Sequence, residues 1–414
     1  MIGRFGWVFW ALALSCVLGC AGNMKDTTEE SQPDTAAAPV VASPYSELES
    51  VKAFERLQAT LEELKQVVLA DAETEREASE GMRVILRTLA MSSDVTGDGN
   101  PQIPHFSRMD TGVRKVGGDN PDAEYDHIVL DNAWDYVIRG NVGTVRHVSF
   151  TINGARGANG RAGKLGYFNE RTLGADENGD FEIHLTKADD GGPNWIDTSP
   201  GISSILIRQY IGDREAETLA TYDVELVGRE SDSEIPYSTD AEVAKAISGA
   251  TYGLGYMMTM HRTIMPELFD HPNTFTRANV SDFGADISGS DNLYMFGTFQ
   301  LEEDEALIIE TDPLDVRYWN IAIESRWHES VDYAARRTHR SLDHSVVDAD
   351  GKLRFVLAHG KTPHPNWLDT GGHREGFMTF RWVGEAESEA TLPTLIRVKR
   401  ADVESELAKR SGTN

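Results

Sequence analysis

Twenty-three residues of this chain recur without a gap at a constant spacing, and that repeat limits the fold more than any other feature. Asp176-Glu177-Asn178-Gly179-Asp180-Phe181 leads to Pro193-Asn194-Trp195-Ile196-Asp197-Thr198, and 172 positions later Asp348-Ala349-Asp350-Gly351-Lys352-Leu353 leads to Pro365-Asn366-Trp367-Leu368-Asp369-Thr370. Within the tract Phe181, Ile183 and Leu185 share one face of a strand. Their counterparts Leu353, Phe355 and Leu357 are also apolar. Asp-x-Asn/Asp-Gly before each strand is a hairpin-turn signature in which glycine supplies φ > 0. One β-unit is therefore used twice.

Around the repeat the texture changes along the chain. Val51, Phe54, Leu57, Leu61, Leu64 and Val68 recur at threes and fours, and Met82, Ile85, Leu86 and Leu89 form a second stripe. This periodicity predicts two helices, packed as a hairpin or paired with a second copy as a coiled coil. Ser46-x-x-Glu49 has capping-box spacing. Beyond residue 105 the pattern becomes β, with Val148, Phe150 and Ile152 alternating along a strand. Thr239-x-x-Glu242 opens a further amphipathic helix that ends before Pro266. Its His261 reads as a satisfied core histidine rather than a ligand. The resulting divisions are 1–20 signal, 21–43 tether and 44–104 helical hairpin. They continue with 105–235 first β-unit, 236–275 connecting helix and loop, 276–400 second β-unit and 401–414 tail. The expected fold is mostly β with α: duplicated sandwich units, an N-terminal helical hairpin and one connecting amphipathic helix.

The formal net charge of -28 argues against nucleic acid and anionic membrane surfaces as partners. Both cysteines, Cys16 and Cys20, lie in the first twenty residues. Arg4, a short apolar run and Val17-Leu18-Gly19-Cys20 resemble a bacterial lipoprotein signal, with Cys20 as the lipidated residue. Residues 21–43 are polar and suit a tether. The expected location is the cell envelope, facing the periplasm or exterior, with membrane contact through the lipid anchor only. No disulfide is available to a chain beginning at Cys20, so its cores must supply its stability.

Two sets of residues carry candidate chemistry. Asn194, Trp195, Asn366 and Trp367 form either a sugar-stacking platform or a structural corner. Arg208 and Arg381 lie in apolar strands after those corners. Each either pairs with Asp197 or Asp369 respectively, or grips a ligand carboxylate or phosphate. His359, His364 and His373 with Asp369 are the densest cluster of acid/base groups, and His373, Asp369 and Arg374 are the candidate catalytic set. Their spacing fits no zinc signature, and no metal or cofactor is expected. Asp94-x-Thr96-x-Asp98-Gly99 opens like a calcium loop but has His105 at the twelfth position, so a linker turn is expected.

Gly118-Asp119-Asn120-Pro121-Asp122-x-x-Tyr125, Tyr136-Val137-Ile138-Arg139-Gly140, Asn194-Trp195 with Arg208-Gln209-Tyr210, and the stretch from Asn366 to Gly376 resemble the bacterial family catalogued as domain of unknown function 1214. The resemblance implies jelly-roll-like sandwich domains and supplies no reaction. The residues themselves favour binding of a small polar or carbohydrate-like ligand in a cleft of the β-units. The alternatives are a hydrolase or lyase acting through His373, Asp369 and Arg374, and a structural envelope component.

Overall fold

The computed structural model describes residues 43–414 except 116, 157–161, 230–233, 235–236, 264–265, 278–290, 385–389 and 413–414. The leader, Cys20 and most of the tether lie outside the described residues. The chain divides at Pro44, and Tyr45–Asn414 forms one compact unit that holds the described helices and strands. No described helix is long and apolar enough to cross a membrane.

Two β-units share one topology. The first comprises β1 (Ser107–Arg108), β2 (Ala123–Val129), β3 (Tyr136–Asn141), β4 (His147–Arg156), β5 (Ala162–Asn169), β6 (Asp180–Thr186), β7 (Ile196–Asp197), β8 (Ile202–Tyr210) and β9 (Thr221–Leu226). The second comprises β10 (Thr274–Arg277), β11 (Asn292–Gln300), β12 (Glu305–Thr311), β13 (Tyr318–Glu324), β14 (His339–Ser341), β15 (Leu353–Ala358), β16 (Trp367–Asp369), β17 (Glu375–Val383) and β18 (Thr394–Lys399). Sheet order β1-β2-β8-β4-β5 is matched by β10-β11-β17-β13-β14, and β7-β6-β3-β9 by β16-β15-β12-β18. Each unit is a sandwich of one five-stranded and one four-stranded sheet. Its core is built from the inward side chains that the period-two pattern selects. Phe150, Phe181, Ile183 and Leu185 are among those in the first core, and Ile321, Leu353, Phe355 and Leu357 are among those in the second.

The corner repeat continues into the following strand with a one-residue slip. Ile207 pairs with Phe150 and Phe380 with Ile321, which makes Arg208 the counterpart of Arg381, 173 positions on. The turn after Thr370 is one residue longer than that after Thr198, and Gly371 and Gly372 adopt φ of 64° and 85° there. Left-handed backbone of that kind suits glycine.

The helices gather at one side. α1 (Glu49–Asp71), α2 (Glu75–Ser92) and α3 (Asp240–Met258) bury Leu57, Leu64, Val68, Val84, Ile85, Leu254 and Met258 around Trp327 of the second β-unit. The hairpin is thus completed by α3 within the same chain. Leu86, expected on the buried face, is 67% exposed. The expected Ser46 capping box is not formed, because the helix starts at Glu49. Asp240, at the start of α3, instead accepts hydrogen bonds from the Glu49 and Ser50 amides at 2.8 and 3.1 Å. That carboxylate caps the positive end of α1 from another helix. Thr239 and Glu242 do form a reciprocal capping box on α3. His261, past the end of α3, is buried with Nε2 2.7 Å from Asp71 and its ring against Trp327. A C-terminal helix, Val403–Ser411, packs Val403 on the outside of the second unit.

Candidate functional site

Both Asn-Trp corners spend their polar atoms inside the fold. Asn194, at φ 52°, donates to the carbonyls of Leu173 and Glu182 at 2.7 Å each. Asn366 donates to the carbonyls of Val346 and Arg354 at 2.7 and 2.9 Å and accepts from the Val346 amide at 2.9 Å. Trp195 Nε1 donates to Thr186 Oγ1 at 2.9 Å, while the Trp367 ring lies 5.1 Å from the Arg337 guanidinium. Asp197 and Asp369 close equivalent turns by accepting from the Ser199 and Gly371 amides at 2.8 and 2.9 Å. Amides with these partners, Asn366 buried and Asn194 half-buried, have little left for a ligand. The platform assignment of Asn194, Trp195, Asn366 and Trp367 gives way to a pinned corner.

The arginines do not pair with the corner aspartates. Asp197 is exposed whereas Arg208 is buried, and Asp369 meets Arg336 at 3.3 Å. The partner of Arg381 comes from β13, whose strand lies beside β17. Strand adjacency, not loop proximity, decides the pairing.

The histidine cluster also separates. His359 has Nδ1 2.8 Å from Thr370 Oγ1 and Nε2 3.3 Å from the Leu301 carbonyl. His364 accepts from the Asn366 amide at 3.2 Å and has Nε2 3.9 Å from Asp348. His373 turns to α2, where Arg76 Nη2 donates to its Nε2 at 3.1 Å and Glu80 stands 3.6 Å away. Burial lowers the pKa of both His364 and His373. Arg374 is 63% exposed and binds Glu302 at 2.5 Å. His373, Asp369 and Arg374 are therefore held by three different partners, and no metal-holding group of three His, Cys, Asp or Glu occurs among the described residues. Asp94–Asp98 belongs to a π-helical turn after α2.

A second duplicated feature emerges from the strand register. In the first five-stranded sheet Tyr125 of β2 stands opposite Arg208 of β8, which stands opposite Ser149 of β4. In the second, Tyr294 of β11 stands opposite Arg381 of β17, which stands opposite Asn320 of β13. Both rows point away from the sandwich cores, toward the layer where the two five-stranded sheets meet. The Tyr210 and Tyr318 rings lie 5.0 Å apart in that layer, and Asn292 Nδ2 donates to Tyr210 Oη at 2.8 Å and to Tyr294 Oη at 3.0 Å. Arg208 Nη1 donates to Thr151 Oγ1 at 3.0 Å. Arg381 Nη2 reaches Glu324 Oε1 at 3.3 Å and donates to the Gly118 carbonyl, while its Nη1 has no hydrogen-bond partner. Glu324 has no exposed surface and also meets His328 Nδ1. Burial would raise that carboxyl, but His328 and then Arg381 outweigh it and hold it below the usual range. Burial likewise opposes the charge on Arg381, and the Glu324 carboxylate restores it to above its ordinary pKa. Burial raises Tyr125 and Tyr210 well above the usual phenol range.

Residues 300–386 match the model of the family described as Protein of unknown function (DUF1214). Among solved structures, an uncharacterised protein from Burkholderia cenocepacia is 24% identical, with 85% of this chain and 98% of that chain covered and a TM-score of 0.78. It establishes the fold. A protein from Vibrio parahaemolyticus is 11% identical over 76% of this chain and 99% of that chain, at a TM-score of 0.45. No curated relative matches the sequence.

The matched stretch supplies Tyr318, Asn320, Glu324, His328, Ser330, His339 and Arg381, and residues 118–122, which precede β2, are threaded among them. Asn120 Nδ2 donates to Tyr318 Oη at 3.0 Å, and Asp122 accepts from Tyr318 at 3.0 Å and Asn320 at 3.3 Å. His339 Nε2 lies 3.1 Å from Asp122, and Asp119 accepts from the Ser330 amide at 2.8 Å. The Gly-Asp-Asn-Pro-Asp motif is therefore the clasp between the β-units. Tyr294, Glu324 and His328 were missed in the sequence. The readable signal was Asp122-x-x-Tyr125 against Asp291-x-x-Tyr294, a repeat spaced by 169 rather than 172.

Proposed function

We propose that this is an envelope-anchored protein that binds a small polar, carbohydrate-like ligand bearing an acidic group between its two β-units. The observation that carries this reading is the repeated Tyr-Arg row, Tyr125 with Arg208 and Tyr294 with Arg381, in a layer that apolar side chains would fill if it served packing alone. Arginine offers a planar fork to a carboxylate, and tyrosine offers an aromatic face with a polar tip. The dispersal of His373, Asp369 and Arg374 gives the hydrolase or lyase alternative no common centre. Anchoring rests on Cys20: the Cys20→Ser protein should lose lipid labelling and leave the membrane fraction.

Thermal-shift screening of the full-length Cys20→Ser protein tests the binding reading. A sugar acid or small carboxylate that binds the native state raises its melting temperature by mass action. The rise should shrink in Arg208→Lys and Tyr294→Phe and be smaller for the corresponding neutral sugar. Equal shifts for acidic and neutral sugars, or shifts untouched by both substitutions, would count against it.

A further inference from the structure

Lys115 lies on the connection between β1 and β2 of the first β-unit. It is 3% exposed, and its Nζ has no hydrogen-bond partner. The amine sits 3.1 Å from the centroid of the Tyr333 ring. Tyr333 is only half-buried, and exposed Asp332 and Ala334 flank it. Around it stand Asp119, held by Ser330, and Glu329, whose Oε2 accepts from Arg87 at 3.0 Å while its Oε1 has no partner. The Lys115 amine and Glu329 Oε1 are thus two buried polar atoms without hydrogen-bond partners, and the amine feels the charges of Asp119, Asp332 and Glu329. An ordinary structural lysine extends its ammonium into water or onto a carboxylate. This one does neither.

We propose that Lys115 is a reactive amine that condenses with a small uncharged aldehyde or ketone, with Glu329 as the proton donor. The amine lone pair forms the C–N bond and the carbonyl π pair moves to oxygen. The carbonyl oxygen then departs as water, carrying one proton from the amine and one from the Glu329 carboxyl. The product is an iminium on Lys115 and a carboxylate on Glu329, so the net charge of the pair is unchanged. A keto acid would bring a further negative charge toward Asp119 and Glu329, and the site disfavours it. Burial lowers the Lys115 pKa and pushes that of Glu329 up to about 7, shifts that favour the free amine and the protonated carboxyl. This chemistry is independent of the Tyr-Arg layer: failure of ligand binding there leaves it standing, and the reverse.

Full-length protein treated at pH 7 with propanal and cyanoborohydride should acquire one propyl group ahead of all others, mapped by peptide mass spectrometry to Lys115. A lowered pKa leaves more of the amine free, so Lys115 should be alkylated faster than surface lysines. Glu329→Gln should slow trapping at Lys115 and leave the surface lysines unchanged. Alkylation of Lys115 no faster than that of surface lysines would overturn the proposal in the wild-type protein itself, whatever the variants do. Trapping of glyoxylate as fast as propanal would overturn the assignment of an uncharged carbonyl.

Discussion

The outer face of the four-stranded sheet β7-β6-β3-β9 meets water, whereas its counterpart β16-β15-β12-β18 is roofed. In the first unit Arg139 spans Glu182 and Glu225 across the outer face, half exposed. In the second, Ala306, Ile308, Val356 and Ala358 lie on the corresponding face and are buried together with Val403 of the C-terminal helix. Arg354 on that face is 2% exposed and held by Glu310, Asp348 and Asp350 at 2.6 to 2.7 Å. One topology therefore tolerates two environments, and the strands record which they occupy. β6 alternates polar and apolar residues as a one-sided strand does, while β15 is nearly unbroken in apolar side chains, as a strand covered on both faces requires.

The sharpest contrast is expected between the buried layer and that wet face. Arg381→Ala leaves Glu324 buried with one cation fewer, and should cost about 3–5 kcal/mol in chemical denaturation. Ile308→Ala under the C-terminal helix should cost about 2–5 kcal/mol. Arg139→Ala, on the exposed face, should cost roughly 0–1 kcal/mol and less still in high salt. Equal losses for Ile308→Ala and Arg139→Ala would break the comparison.

Titration separates the same two environments. Burial pushes the Asp110 and Glu329 carboxyls up to about 7. In the unfolded chain such groups ionise near pH 4. Between about pH 4 and 7 the folded state thus binds more protons, and the contribution of these groups to stability falls as pH rises through that window. Asp110→Asn and Glu329→Gln should remove part of that fall, gaining roughly 1–3 kcal/mol at pH 8 relative to their effect at pH 4. A pH-independent difference would contradict the burial of these acids. The corners offer a finer test. Asn366 is fully buried with three hydrogen bonds, and Asn194 is half-buried with two. Asn366→Ala should cost about 1–3 kcal/mol and Asn194→Ala less.

Much of the fold was legible because burial writes a period into a strand. The constant spacing of 172 exposed the duplication, and Phe181, Ile183 and Leu185 with their counterparts identified the inward faces. The site was less legible. Its rows combine residues from three strands, so Tyr125, Arg208 and Ser149 are neighbours only after β2, β8 and β4 have paired. Their repeats also carry different spacings, 169 for the tyrosines and 173 for the arginines, because insertions fall between the strands. The corner aspartates looked like partners for the arginines only because they were close in the chain. Asp240 capping α1 across 191 positions is likewise invisible to a local pattern.

Hydrogen–deuterium exchange of the Cys20→Ser protein, with and without the sugar acid that stabilises it most, tests ligand binding between the β-units most directly. Protection should rise in residues 118–125 and in β8, β11 and β17, and the two Asn-Trp corners and the outer face of β3 should not change. Protection centred on Trp195 or Trp367, with β8 and β17 unaffected, would place the ligand on the corners and contradict the account.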